Sequence, residues 1–324
     1  MKWSKVCWWL GGVGALGAAV LNIPVPRKVD QPAMSATIRP QRLDLSGYAS
    51  TAPPRPLDLL FIHHSCGGQL LAPPGPPEGT NSICRSDPNG GNLRPLLEKQ
   101  GYRVHEASYG SRIGEDTDLF DWLPKFRAHM DSILRCEHQD SVLPDGRTNR
   151  VVMFKSCFPN SAFRDQGAPP GDAAGPELTV YNAKATYNAL LQELRKQPDV
   201  LFVCVTAPPL APGKKTQPLW RQMARKIKAT ITGTQFDLAG SGRLAREFNN
   251  WLTDVNGWLR DYPLHNVVVF DYYDILTDNG ESNLSRYPTW DGSDSHPSRG
   301  GNEKAAQAFV PFVNRAARRA GIVE

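Results

Sequence analysis

Five short apolar runs, each followed by a polar turn and then a helical pattern, restrict this chain more than any other feature. They are LDLLFI from Leu57, YRVHEAS from Tyr102, RVVMFKS from Arg150, DVLFVCV from Asp199 and HNVVVFDYY from His265. Runs this short, rich in Val, Leu, Phe and Ile, read as strands, most of them buried on both faces. The segments between them carry apolar residues at helical spacing. NLRPLLEKQ is stopped by Gly101, and Asp118 to about Cys136 places Leu119, Trp122, Leu123, Phe126, Met130, Ile133 and Leu134 on one face. TVYNAKATYNALLQELRKQ follows, then two helical pieces between Pro218 and Tyr262, and EKAAQAFVPFVNRAARRA closes the chain. Strands alternating with helices predict a three-layer α/β/α sandwich around a five-stranded parallel sheet.

The ends are set apart by composition. Lys2 and Lys5 precede an apolar run from Val6 to Ile23, which has the charged start and apolar middle of a secretory signal and is nearly long enough to cross a bilayer. Residues 1–23 are therefore expected to be a signal peptide or an N-terminal membrane anchor. The protein is expected to be exported: secreted, periplasmic or anchored at the outer face of a membrane. Residues 24–56 are punctuated by Pro24, Pro26, Pro32, Pro40, Pro53, Pro54 and Pro56 and read as an extended linker. The folded domain is expected over 57–324.

With 40% hydrophobic residues the chain can bury a core, and its +5 charge is scattered, so nucleic-acid binding is not indicated. Of six cysteines, Cys7 lies in the leader, and Cys66, Cys84, Cys136, Cys157 and Cys204 include no CxxC pair. Outside the cytoplasm Cys84 and Cys136 are candidates for a disulfide, while Cys204 reads as a buried thiol in a strand.

Open parallel sheets bind ligands at the carboxyl ends of their strands. Four polar features fall there or in the last loop: Ser65 after the first run, the Gly110 to Gly114 turn after the second, Asn160 after the third, and Asp294 with His296 before the final helix. Singly, Ser65 is a helix cap, Asn160 a turn residue and Asp294 a solvated carboxylate. Together they supply what acyl transfer needs. A serine hydroxyl becomes nucleophilic when an imidazole takes its proton and a carboxylate fixes the imidazole tautomer. Asp294 and His296, two apart in an extended segment, point the same way, and Pro297 keeps His296 out of the helix.

This order of Ser, Gly, Asn and a late Asp and His resembles the SGNH (GDSL-like) hydrolase family over residues 57–318. The resemblance implies a flavodoxin-like SGNH hydrolase fold, with Ser65 as nucleophile and His296 as general base. Asp294 is the preferred orienting carboxylate and Asp291 the substitute. The implied oxyanion hole consists of the Ser65 and Gly114 N–H groups and the Asn160 amide, each such donor worth about 3 kcal/mol of barrier. Two departures stand out. His63 and His64 precede Ser65 where the family has Gly and Asp, and Ser293 occupies the place three before the histidine.

The expected activity is hydrolysis of a carboxylic ester through an acyl-serine intermediate, with an acylated carbohydrate or lipid as substrate and no cofactor. The loop aromatics Tyr109, Phe158, Tyr287 and Trp290 favour a glycan. A metal site at His63, His64 and His296 lacks the carboxylate–histidine motif of metallohydrolases. The alternative is a catalytically inactive, surface-tethered glycan-binding protein of the same fold.

Overall fold

A computed structural model describes residues 39–74, 90–213 and 236–324. The leader, Cys84, most of the Gly/Pro-rich loop after Ala72 and the first helical piece after Pro218 lie outside the described residues. Residues Arg39–Glu324 form one compact unit.

The five apolar runs form β1 (Leu57–Ile62), β2 (Tyr102–Ala107), β3 (Val151–Lys155), β4 (Leu201–Val205) and β5 (Val267–Phe270). They pair in parallel in the order β2-β1-β3-β4-β5. This is the flavodoxin-like order, in which the chain turns back across β1, and the cleft between the ends of β1 and β3 is the topological switch point. The three-layer sandwich expected from the alternation is therefore present.

Side chains alternate between two cores. Leu60, Ile62, Val152, Phe154, Phe202 and Cys204 face one layer, where α3 (Trp122–Arg135), α4 (Val180–Leu194) and α5 (Leu238–Thr253) supply Trp122, Phe126, Tyr187 and Phe248. Leu59, Phe61, Val151, Met153, Leu201 and Val203 face the other. There α1 (Cys66–Leu71), α2 (Leu93–Lys99) and α7 (Arg299–Arg319) bring Leu70, Leu97 and Phe309. Both faces being covered explains why β1, β3 and β4 read as unbroken apolar runs. Cys204 is a buried thiol, as its strand position implied. Cys136 is buried too, its thiol directed at the Gln139 carbonyl.

The described part of the 24–56 segment departs from an extended tether. Arg42 forms ion pairs with Asp271 and Asp274, and the Val255 N–H donates to the Gln41 carbonyl at 2.8 Å. Leu45 is buried, and the Asn314 side chain donates to the Ser50 carbonyl at 2.8 Å. Residues 39–56 are therefore part of the folded unit, because charge pairs and backbone bonds offset the few apolar contacts that proline-rich composition allows.

Two further elements complete the chain order. A short α6 (Tyr272–Leu276) follows β5, and a hairpin of β6 (Pro288–Thr289) and β7 (Asp294–Pro297) replaces the irregular loop expected before the last helix.

Candidate active site

β1 delivers His63, His64 and Ser65 to the switch point in one turn. Ser65 stands at the N-cap position of α1, yet its side chain makes no capping hydrogen bond. Its Oγ lies 2.9 Å from Cys157 Sγ, which leaves the end of β3. The two are brought together by register: Ile62 pairs with Phe154, and Ser65 and Cys157 each stand three residues further on. The helix starts tightly against the turn. A side chain at Gly67 would place its Cβ 2.4 Å from His63 Cβ, so only glycine fits.

His63 and His64 both serve the walls of the site. His63 is 2% exposed, and its Nε2 lies 3.0 Å from Glu106 Oε1 on β2. Arg94 of α2 donates to the other carboxylate oxygen at 2.6 Å. Burial pushes the Glu106 carboxyl up, but the hydrogen bonds and charges of His63 and Arg94 outweigh it and hold the group at about 2. His64 Nε2 lies 2.7 Å from the Gly114 carbonyl oxygen, so Nε2 carries the proton and donates. The His64 ring stacks on Tyr109 with centroids 3.7 Å apart. His63 and His64 thus tie β1 to β2 and to the turn after it. Among the described residues no group of three His, Cys, Asp or Glu side chains is arranged to hold a metal ion.

A pH dependence of stability follows from Glu106. Its folded pKa lies below the ordinary 4.5, so the stabilisation is present above pH 4.5 and is lost as pH falls towards 2. The shift corresponds to about 3 kcal/mol. Glu106→Gln is expected to lower stability at neutral pH and to flatten the acid limb, read from urea midpoints at a series of pH values. An acid limb as steep as the wild type's in the variant would assign acid lability to other carboxylates.

The hairpin fixes the late acid and base. His296 Nδ1 lies 2.7 Å from Asp294 Oδ1, which also accepts the His296 backbone N–H at 3.0 Å. Thr289 donates to the His296 carbonyl at 2.6 Å, and Ser295 Oγ accepts the Ala211 N–H at 2.9 Å, anchoring the hairpin to the segment after β4. Asp291 Oδ1 accepts the Ser293 N–H at 3.2 Å. The Phe158 ring meets the His296 imidazole edge-on at 4.9 Å. Ser65 therefore touches Cys157 while His296 touches the next residue, which places the two side chains on the same turn. Among the described residues the Ser65 hydroxyl makes no hydrogen bond to His296.

The donors expected for an oxyanion hole are occupied differently. The Gly114 N–H donates within its own turn, to Ser111 Oγ at 2.7 Å and to the Ser111 carbonyl at 3.1 Å. A Cβ at Gly114 would lie 2.0 Å from the Ser108 carbonyl oxygen, so the glycine is required by close packing. The buried Lys125 ammonium fastens the turn by donating to the Ile113 and Glu115 carbonyls. Asn160 is 5% exposed in the 3-10 turn Phe158–Ser161. Its Oδ1 accepts the Leu119 N–H and its Nδ2 donates to Asp118 Oδ1, each at 2.7 Å, leaving one amide hydrogen uncommitted.

Tyr109 occupies the position that the sequence does not reveal. Its ring, stacked on His64, lies beside the Ser65 turn. Burial pushes its pKa up to about 12, so it stays a neutral O–H donor at physiological pH.

No family model matches the chain, and no curated protein matches it. Solved structures similar to it include a catalytic mutant of an acetylxylan esterase from Geobacillus stearothermophilus, at 16% identity and a TM-score of 0.37, covering 82% of this chain and 95% of that one. A GDSL-like lipase from Bacteroides thetaiotaomicron is similar at 12% identity and a TM-score of 0.39, covering 80% of this chain and 88% of that one. What the site can do is set by its own side chains.

Proposed function

We propose that this chain is an exported serine ester hydrolase of the SGNH type, acting on an O-acyl ester through an acyl-serine intermediate. The observation that carries the reading is the 2.7 Å bond between Asp294 Oδ1 and His296 Nδ1, set on the turn that Ser65 touches. With Nδ1 donating to the carboxylate, Nε2 is the nitrogen that keeps a lone pair for the serine proton. Ser65 Oγ attacks the ester carbonyl, its proton passes to His296 Nε2, and the imidazolium returns it to the leaving alkoxide. Water then repeats the sequence on the acyl-serine.

The negative oxygen of the tetrahedral intermediate is stabilised by the Ser65 N–H and by the Tyr109 hydroxyl, with the spare Asn160 amide hydrogen at the margin. Tyr109 takes this role over Gly114, whose N–H is already bonded within its turn. Tyr109→Phe is expected to lower kcat about 100-fold with KM little changed, the size of effect that follows removal of one oxyanion donor. Unaltered turnover would return the role to the backbone.

The substrate class is an acylated carbohydrate. Trp290, 71% exposed, sits at the tip of the β6–β7 hairpin that carries Asp294 and His296, where an indole face can take a sugar ring. The test is a panel of acetylated oligosaccharides and simple acyl esters, together with labelling by an organophosphonate mapped by mass spectrometry. Covalent labelling of Ser65 and release of acetate from the sugars are expected. The competing reading, a glycan-binding protein without turnover, predicts no labelling and undiminished ligand retention in Ser65→Ala.

A further inference from the structure

β3 ends in a lysine that is wholly buried, in a position where lysine is rarely found without a partner. Lys155 Nζ donates to the Ser156 carbonyl at 3.1 Å and lies 3.7 Å from Cys157 Sγ. Among the described residues no carboxylate pairs with it. A buried ammonium without a counter-charge is strongly unfavourable, and among the described residues the Cys157 sulfur, 3.7 Å away, can supply a negative charge.

The hydrogen bonds around that sulfur point the same way. Lys155 can only donate to it, and Ser65 Oγ lies 2.9 Å away. Two polar groups converge on one sulfur atom. A thiol would have to turn its own hydrogen onto the serine oxygen, whereas a thiolate accepts from both.

We propose that Cys157 is a thiolate paired with Lys155, and that it accepts the Ser65 hydroxyl hydrogen bond and so sets the resting orientation of the nucleophile. The second half of this rests on Ser65 being the nucleophile, as proposed above. Cys157 touches the reacting oxygen; Lys155 is a positioning residue that acts through it. When an ester binds, the Ser65 proton goes to His296 as the Oγ–carbon bond forms and the carbonyl π electrons move to oxygen. The thiolate keeps its charge throughout and favours the imidazolium that forms nearby.

The surrounding groups support one negative charge and its location. Facing the sulfur are Lys155 at the end of its own strand, His64, Ser65 and Cys66 from the β1 turn, Tyr109 after β2 and Tyr272 at the start of α6. The neighbouring Cys66 thiol, the Lys155 charge and the Ser65 hydroxyl outweigh burial and hold Cys157 well below the ordinary thiol range. Burial and the neighbouring sulfur push Cys66 up. Protonation of Cys157 would turn it into a donor against Ser65 Oγ, so part of the acid limb of activity belongs to the sulfur.

The test uses the full chain and the ultraviolet absorbance of thiolate. Wild type is expected to gain the absorbance of one thiolate in a step lying well below the ordinary thiol value of about 8.5. That step should be missing in Cys157→Ser and move up towards the ordinary value in Lys155→Met. The rate of Ser65 phosphonylation should fall at least about ten-fold in both variants, with the acid limb of its pH profile altered. The absence of an early step in wild type, or its survival in Cys157→Ser, overturns the proposal, and the wild-type titration requires no variant to fold. An early thiolate in a wild type that is not phosphonylated supports the Lys155–Cys157 pair and overturns the hydrolase reading. Phosphonylation without an early thiolate overturns the pair alone.

Discussion

Replacing Ser65 with alanine is expected to lower kcat about 10⁶-fold on any acyl ester the wild type cleaves, the loss seen when a serine hydrolase is deprived of its nucleophile. Stability should change little, and this is where the structure sharpens the test. A serine that caps a helix contributes about 1 kcal/mol through a bond from its side-chain oxygen to the first turn. Ser65 makes no such bond at the start of α1; its hydroxyl faces Cys157 instead. A thermal melt and a rate measured on the same Ser65→Ala sample therefore separate two roles. Full turnover with a lowered midpoint would make Ser65 a cap and end the case for an acyl-serine intermediate.

Asp294→Asn should cost about 10⁴-fold in kcat with KM nearly unchanged. In the native hairpin the carboxylate accepts Nδ1–H, which leaves the Nε2 lone pair available to take the serine proton. An asparagine at this position still has an oxygen for the His296 backbone N–H. Its NH2 group can also donate to an unprotonated Nδ1, which stabilises the tautomer with Nε2 protonated and hence unable to act as base. Asp291→Asn is the matched control, because the Asp291 carboxylate accepts the Ser293 N–H while Asp294 bonds the imidazole. A loss of no more than a few-fold is expected there. If Asp291→Asn were the damaging variant, the orienting carboxylate would have to be reassigned.

How far the sequence could be read depended on whether a contact was local. The central strands β1, β3 and β4 were visible because parallel strands covered on both faces must be apolar almost throughout. The pairing of Asp294 with His296 could be anticipated because two residues in extended backbone project to the same side. The hairpin around them was not anticipated, since β6 and β7 are too short to show an alternating pattern. Residues 39–56 were read as a tether because composition reports apolar burial and says nothing about Arg42 reaching Asp271 across 229 positions of sequence. His63 and His64 read as oddities beside a nucleophile until Glu106 and Gly114 were found opposite them.

The sequence by itself determined the sheet, its parallel sense and the carboxyl-edge position of Ser65, and it narrowed the partner of His296 to Asp294 or Asp291. Each of these is set by residues next to one another or by a repeating period. Tertiary structure alone decided which groups surround the serine oxygen. Strand order put β3 beside β1, and their register carried Cys157, and behind it the buried Lys155, to the hydroxyl. It also committed the Gly114 N–H to its own turn and stacked Tyr109 on His64 beside Ser65. The physical reason is that hydrogen bonding is short-ranged and directional. A pattern of residue types fixes which elements form, whereas a donor 2.9 Å from its acceptor exists only once two distant strands have settled into one register.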